Sequence, residues 1–316
     1  MEYSGVCSRK YDKFKKLAKE IWNMKMLYIF LLPAVIVTLL FNYRPMYGTL
    51  MAFQNYNIAK GIWGSKFIGL NNFTKFLSDP DFYRAVVNTV GLSTLNLIFG
   101  FTLPILFAIL IYEFSHERLK KIVQSITYLP HFISWVIVAG LCYRLLDEDT
   151  GSINILLSTL GIGSVPFLRE PSYFWGIFTV TGIWKEIGWN SILYLSSMTA
   201  IDPTLFEAVA VDGANRFKRI RYILIPGILP TIVMLLILTI ASFFSGAGAF
   251  EPAYALRNPM VAPRSDIIDV FSYFRGVRNG EYGYAAAIGL TQSLISVISL
   301  FIANKGMKRL TGYSLF

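Results

Sequence analysis

Three groups of side chains in this 316-residue chain stand where chemistry is possible. The first is Lys185 and Glu186, near the middle of the apolar run "YFWGIFTVTGIWKEIGWNSILYLSSM". A charge at that depth in a membrane costs roughly 2.5–3.5 kcal/mol on insertion scales, so it turns toward a protein interior or toward water. Trp184 adjoins the pair. Lys185 and Trp189 are four apart, as are Glu186 and Asn190, which makes two neighbouring faces of one helix. Aromatic faces stack on sugar rings and amides bond hydroxyls, so these residues suit a path for a hydroxylated solute. The alternative is an internal ion pair that joins helices. The second group is "DED" at 147–149, the best candidate for catalytic carboxylates, although solvated charge in a polar external loop is the better account of it. The third is "EAVAVDGANRFKRIRYILIP" at 207–226, a charged, glycine-hinged stretch between two strongly apolar segments.

The elements that must position these groups follow from composition. Apolar residues make up 54% of the chain and charged residues only 15%, against about 25% in soluble domains. With a mean hydropathy of +0.52, this is the profile of an integral membrane protein. The net charge of +10 does not indicate nucleic acid, because no basic stripe interleaved with aromatic platforms occurs. Using about 20 apolar residues per crossing, six spans are expected near 26–43, 86–112, 122–146, 173–198, 223–244 and 282–303. The expected organisation is a polar tail (1–25), a six-helix transmembrane domain (26–303) with a loop at 199–222, and a second tail (304–316). Pro33, Pro104, Pro130, Pro226 and Pro230 fall in these spans as kinks. Residues 1–25 are not expected to be a cleaved signal, nor "SGVC" at 4–7 a lipidation site. The two cysteines, Cys7 and Cys142, do not suggest a disulfide framework.

Lys and Arg set the orientation. The two tails and the loops 113–121 and 199–222 hold 17 of them, and the loops 44–83, 147–172 and 245–281 hold nine over a longer length. Cytoplasmic loops carry the excess, so both termini and the 199–222 loop are expected in the cytoplasm. Loop 44–83 is long enough to have structure of its own, either packing over the helix ends or meeting an external partner.

The 199–222 loop parses as two short helices. Asp202 and Pro203 suit an N-terminus and Gly213 a turn. Asp212 suits a cap for a second helix bearing Arg216, Lys218, Arg219 and Arg221. Small Ala208, Ala210 and Ala214 allow close approach by another surface. The stretch resembles the EAA loop of permease subunits in binding-protein-dependent ABC importers: Glu-Ala-Ala, three residues, Gly, nine residues, Ile, one residue, Leu-Pro. Glu207, Ala208, Gly213, Ile223 and Pro226 match in type and spacing, while Val209 and Ile225 replace Ala and Leu. "FIGLNNFTKFLSDPDFYRAVVNT" at 67–89 resembles sugar-type, maltose-permease-like members. "NYRPMYGTLMAFQNYNIAKGIWGS" at 42–65 and the ending "TGYSLF" resemble a branch that takes up polysaccharide-derived oligosaccharides.

That resemblance implies an all-α, type I ABC importer permease fold in the bacterial cell membrane. It implies a second homologous permease, two ABC ATPase subunits, an extracytoplasmic solute-binding protein and an oligosaccharide cargo. It also makes 207–214 the element that docks in the ATPase, with Glu207, Ala208, Asp212, Gly213 and Ala214 as coupling residues. The chain has no G-x-x-x-x-G-K-[ST] pattern, so ATP and magnesium are expected on the partner ATPases, and no cofactor, metal or catalytic residue in this chain. Trp184, Lys185, Glu186, Trp189, Asn190, Tyr143, Phe244 and Gln292 are the expected substrate path. A different small solute is the alternative within the class. A membrane-embedded glycan-processing enzyme is the alternative outside it, and an ion channel lacks any filter signature. His131 is expected to be a satisfied interior residue.

Overall fold

A computed structural model describes residues 23–316 except Asp212 and Ala247. Most of the 1–25 tail, with Cys7, and the Asp212 cap therefore lie outside the described residues. The chain is mostly helical. Helix α1 (Lys25–Thr38) continues through a π turn and a 3-10 segment to Phe53. Its large apolar side chains are exposed along its length, as for a helix solvated by lipid or by another chain.

The next long rod is α2 (Pro80–Leu95) and α3 (Thr102–Tyr112), joined by a π turn at Asn96–Gly100. Asp79 caps it by accepting from the Asp81 N–H at 2.9 Å, with Pro80 at the first position. Pro104 has no N–H to give back to Gly100, and the Phe101 N–H bonds Asn96 instead, at 2.8 Å. The 33 residues Pro80–Tyr112 make a rod of about 50 Å at 1.5 Å per residue.

The expected span at 122–146, with Pro130 as a kink, is instead broken. Helices α4 (Glu117–Tyr128) and α5 (Trp135–Leu145) meet at a 100° bend. Pro130 lies in a 3-10 turn, Ile133 is extended, and Ser134 starts the new helix by accepting from Ile137 N–H. The apolar run thus hides a helix stop and restart, which hydropathy does not register.

Helix α6 (Phe174–Thr199) leads to α7 (Pro203–Val211), α8 (Arg216–Arg219) and α9 (Ile225–Ala241). A short helix at Phe250–Leu256 and α10 (Ile268–Tyr273) precede α11 (Tyr282–Thr311), which stops at Gly312 with φ +80°. Among the described residues, four helices are long and apolar enough to cross a membrane, and the bent pair makes a fifth where it counts as one span. The 26-residue α6 has the length, but Lys185, Glu186 and Asn190 lie along it. Hydroxyls within the apolar helices are satisfied locally: Thr89, Thr94, Thr179 and Thr291 each donate to the carbonyl four residues earlier.

Loop 44–83 has its own structure. Gln54–Asn55 pairs antiparallel with Lys66–Phe67, and buried Asn72 donates to the carbonyls of Ala52 and Gln54. Phe76, Phe82, Phe271 and Tyr284 form a core beneath it, so the loop packs over the helix ends. At the opposite end of the α2–α3 rod, Ala108, Ile109, Tyr194, Met198, Leu224 and Ile228 form a second core.

Candidate functional site: a polar cavity and an exposed coupling element

Helix α6 presents one face to a cavity of about 430 Å³. Phe178, Gly182, Glu186 and Asn190 recur every four residues and line it together, so helical spacing alone puts them on one stripe. Thr89, Ser93, Asn96 and Phe99 of the α2–α3 rod face them, and Thr239, Ser242 and Phe243 close the cavity from the end of α9. Ser93 donates to the Phe243 carbonyl at 2.7 Å and ties two of these walls. Hydroxyls, two amides, two carboxylates and aromatic rings around one space suit an uncharged or hydroxyl-rich solute.

The neighbouring face of α6 turns away from the cavity, into the α4–α5 bend. Lys185 is only 5% exposed and donates to the His131 carbonyl at 2.6 Å. Glu186 reaches both sides: one oxygen is 3.2 Å from Lys185 Nζ and the other 2.7 Å from His131 Nδ1. Trp189 stacks flat on the His131 ring at 4.1 Å, and Lys185 lies over Trp135. The two charges meet inside the protein, as burial requires. Gly188 admits this packing, because a Cβ there would run into the Thr127 backbone carbonyl.

Glu186 and Asn190 are thus the two expected path residues that line the cavity. Lys185 and Trp189 hold the bend, and Trp184 is exposed outside it. Tyr143 donates to the carbonyl of Leu256, and Gln292 to the carbonyl of Phe244 and to Asp269. Those contacts anchor the 244–269 segment; Tyr143, Phe244 and Gln292 do not line the cavity. Asn88 and Thr89 do similar work: Asn88 donates to Pro263 and Asp266 carbonyls, and Thr89 accepts from Ile268 N–H. Sequence reasoning missed Phe178, Ser93 and Glu251 as lining residues. The four-residue spacing could have found Phe178, whereas Glu251 sits in a segment without a long periodicity.

The carboxylates at 147–149 make a loop. Asp147 accepts from the hydroxyl and N–H of Thr150, which hold its carboxyl below the ordinary range, and Glu148 pairs with Arg169 at 2.8 Å. No cluster of metal ligands occurs among the described residues.

The coupling stretch forms as its sequence indicates. Asp202 accepts from Thr204 N–H at 2.9 Å, which lowers its pKa, and α7 runs over the expected residues. Gly213 has φ +69°, and Ala214 N–H bonds the Val209 carbonyl, the six-to-one bond of a Schellman end. At the start of α8, Asn215 accepts from Lys218 N–H at 3.0 Å. Glu207, Ala208 and Gly213 are exposed, as are the apolar Leu205, Val211 and Phe217, the last at 82%. Phe206 points the other way and packs on Tyr112 with ring centroids 6.1 Å apart.

Residues 100–310 match the family described as "Binding-protein-dependent transport system inner membrane component". The chain is 38% identical over 300 residues to the polygalacturonan/rhamnogalacturonan transport system permease protein YteP of Bacillus subtilis (strain 168), covering 95% of this chain and 93% of that one. It is 37% identical over 292 residues to the protein LplB of the same organism, covering 92% and 91%. Among solved structures it is similar to a chain of a bacterial alginate ABC transporter in complex with a periplasmic protein bound to alginate pentasaccharide, with TM-score 0.86, 38% identity and coverage of 95% and 100%. The chain therefore belongs to the binding-protein-dependent transport system inner membrane components, as a multi-pass permease subunit of an ABC importer that is not itself an enzyme.

Proposed function

We propose that this permease passes an oligosaccharide through the cavity walled by the α2–α3 rod, α6 and α9, and that α7 docks in a separate ATPase. The exposed Glu207 on a rigidly ended helix carries this reading: its chain-facing neighbour Phe206 is packed, while the charge is left outward. Relatives named for pectic fragments and alginate support the cargo class. Six crossings follow if α6 and the bent pair each span, and the Lys/Arg bias places both ends in the cytoplasm. A second permease encloses the path, two ATPases bind and hydrolyse ATP with magnesium, and a binding protein delivers cargo. Cargo and nucleotide then each bias one conformational equilibrium.

The ionisable side chains lining this wall are Glu186 and Glu251, which favours a neutral cargo face here, whereas the alginate transporter imports an acidic polysaccharide. The deciding experiment is ATP hydrolysis by the reconstituted complex, screened with acidic and neutral oligosaccharides on the binding protein. Stimulation by one class names the cargo. No stimulation by either class in an assembled, hydrolysing complex sinks the oligosaccharide assignment.

A further inference from the structure

The coupling element is joined to the cavity wall through one ion pair that no resemblance assigns. Arg219, at the end of α8, pairs through Nη2 with Oε2 of Glu113, the residue just after α3. Glu113 is 10% exposed, so the pair is shielded on the carboxylate side. Beside it, Phe206 of α7 packs on Tyr112, the last residue of α3, and both join the core that includes Ile109, Tyr194 and Leu224. Both helices of the coupling element therefore grip the same end of the same rod. That rod runs back through the π turn at Asn96–Gly100, and Asn96, Phe99 and Gly100 line the cavity.

The pair also leaves a fork half made. Glu113 Oε1 and Arg219 Nε are both buried with no hydrogen-bond partner among the described residues. A side-on guanidinium–carboxylate fork uses Nε and Nη2 against the two oxygens, which would satisfy both orphans. A small displacement of α8 against α3 would convert the single contact into that fork.

We propose that Glu113 and Arg219 are positioning residues of a strut, which switches between one-point and forked contact and delivers the movement of α7–α8 to the cavity wall. The proposal rests on the reading of α7 as the ATPase-docking helix. Coupling between sites typically amounts to a 5- to 150-fold effect. The test uses the reconstituted importer with its partner permease, ATPase and loaded binding protein. It measures the ratio of cargo-stimulated to basal ATP hydrolysis, and cargo moved per ATP.

Glu113→Gln should lower that ratio at least about fivefold in an assembled complex. The charge swap Glu113→Arg with Arg219→Glu should restore most of it, which simple loss of packing would not do. Normal stimulation in Glu113→Gln overturns the strut. If Glu113→Gln does not assemble, the swap decides: a coupled swap supports the strut, and a swap that assembles uncoupled, or does not assemble, overturns it. Glu207→Lys separates the two readings. If it uncouples while Glu113→Gln does not, the strut alone is wrong. If Glu207→Lys is itself fully coupled, the docking role of α7 fails.

Discussion

The 203–221 stretch and the 131–190 interior carry the same sequence signal, charge set in an apolar background, and use it in opposite ways. In the coupling element Glu207 is exposed, and of the four cations Arg219 alone forms an ion pair among the described residues. In the interior Lys185, Glu186 and His131 satisfy one another within a few ångströms. The difference teaches how to read such charges. Under the proposed docking role, a charge left exposed on a capped helix, as Glu207 is, is addressed to another molecule. A charge that the chain pairs internally is there to hold helices, and it meets the cavity only where the same residue also lines it, as Glu186 does.

If that contrast is right, changes at the coupling element should separate function from folding, and changes at the interior should not. The largest effect is expected from Glu207→Lys: cargo-stimulated hydrolysis falls to the basal rate while the purified complex keeps its stoichiometry. A complex that falls apart instead would erase the distinction. Next, Gly188→Val forces a side chain into the Thr127 carbonyl and should cost about 1–3 kcal/mol, read as a lowered unfolding midpoint in detergent. An unchanged midpoint would mean that α4 and α6 are not held at that approach.

A smaller loss, roughly 1–2 kcal/mol, is expected for Glu186→Gln, because Lys185 keeps only a carbonyl and a ring for its charge, while the partial exposure of Glu186 tempers the cost. Adding Lys185→Met should recover stability but not transport, which sharpens the split between holding the bend and lining the path. The smallest effect concerns the far end. Burial pushes the Asp79 carboxyl up, but hydrogen bonds from the Asp81 N–H and the Tyr284 hydroxyl, with the Arg275 charge 2.6 Å away, outweigh it and hold it below the ordinary carboxylate range. Its stabilisation is therefore present above that ordinary range and is lost as pH falls through the folded-state value. Asp79→Asn should cost about 1 kcal/mol or less at neutral pH and flatten the acid side of the stability profile.

Much of this was legible because it rests on local rules. Asp202, Pro203 and Gly213 place both ends of α7 by capping and a left-handed turn, which need only near neighbours. Length and hydropathy located the long helices, and four-residue spacing put Lys185 and Trp189 on one stripe of α6 and Glu186 and Asn190 on the next. Hydropathy could not see the 100° bend at 132–135, since a helix break inside an apolar run changes direction without changing composition. It also could not tell that Tyr143 and Gln292 spend their polar atoms on backbone carbonyls more than 40 residues away.

By itself, then, the sequence determined that the chain carries long membrane-type helices and a capped helix at 203–211, and its EAA-like spacing carried the resemblance to importer permeases, because apolar length, motif spacing and turn chemistry are properties of short windows. Tertiary structure alone decided which face of α6 meets the cavity, that His131 answers Glu186, and that Glu113 meets Arg219. Those pairings join residues some 55 and 106 positions apart. Only the packing of distant helices brings such groups within hydrogen-bond reach.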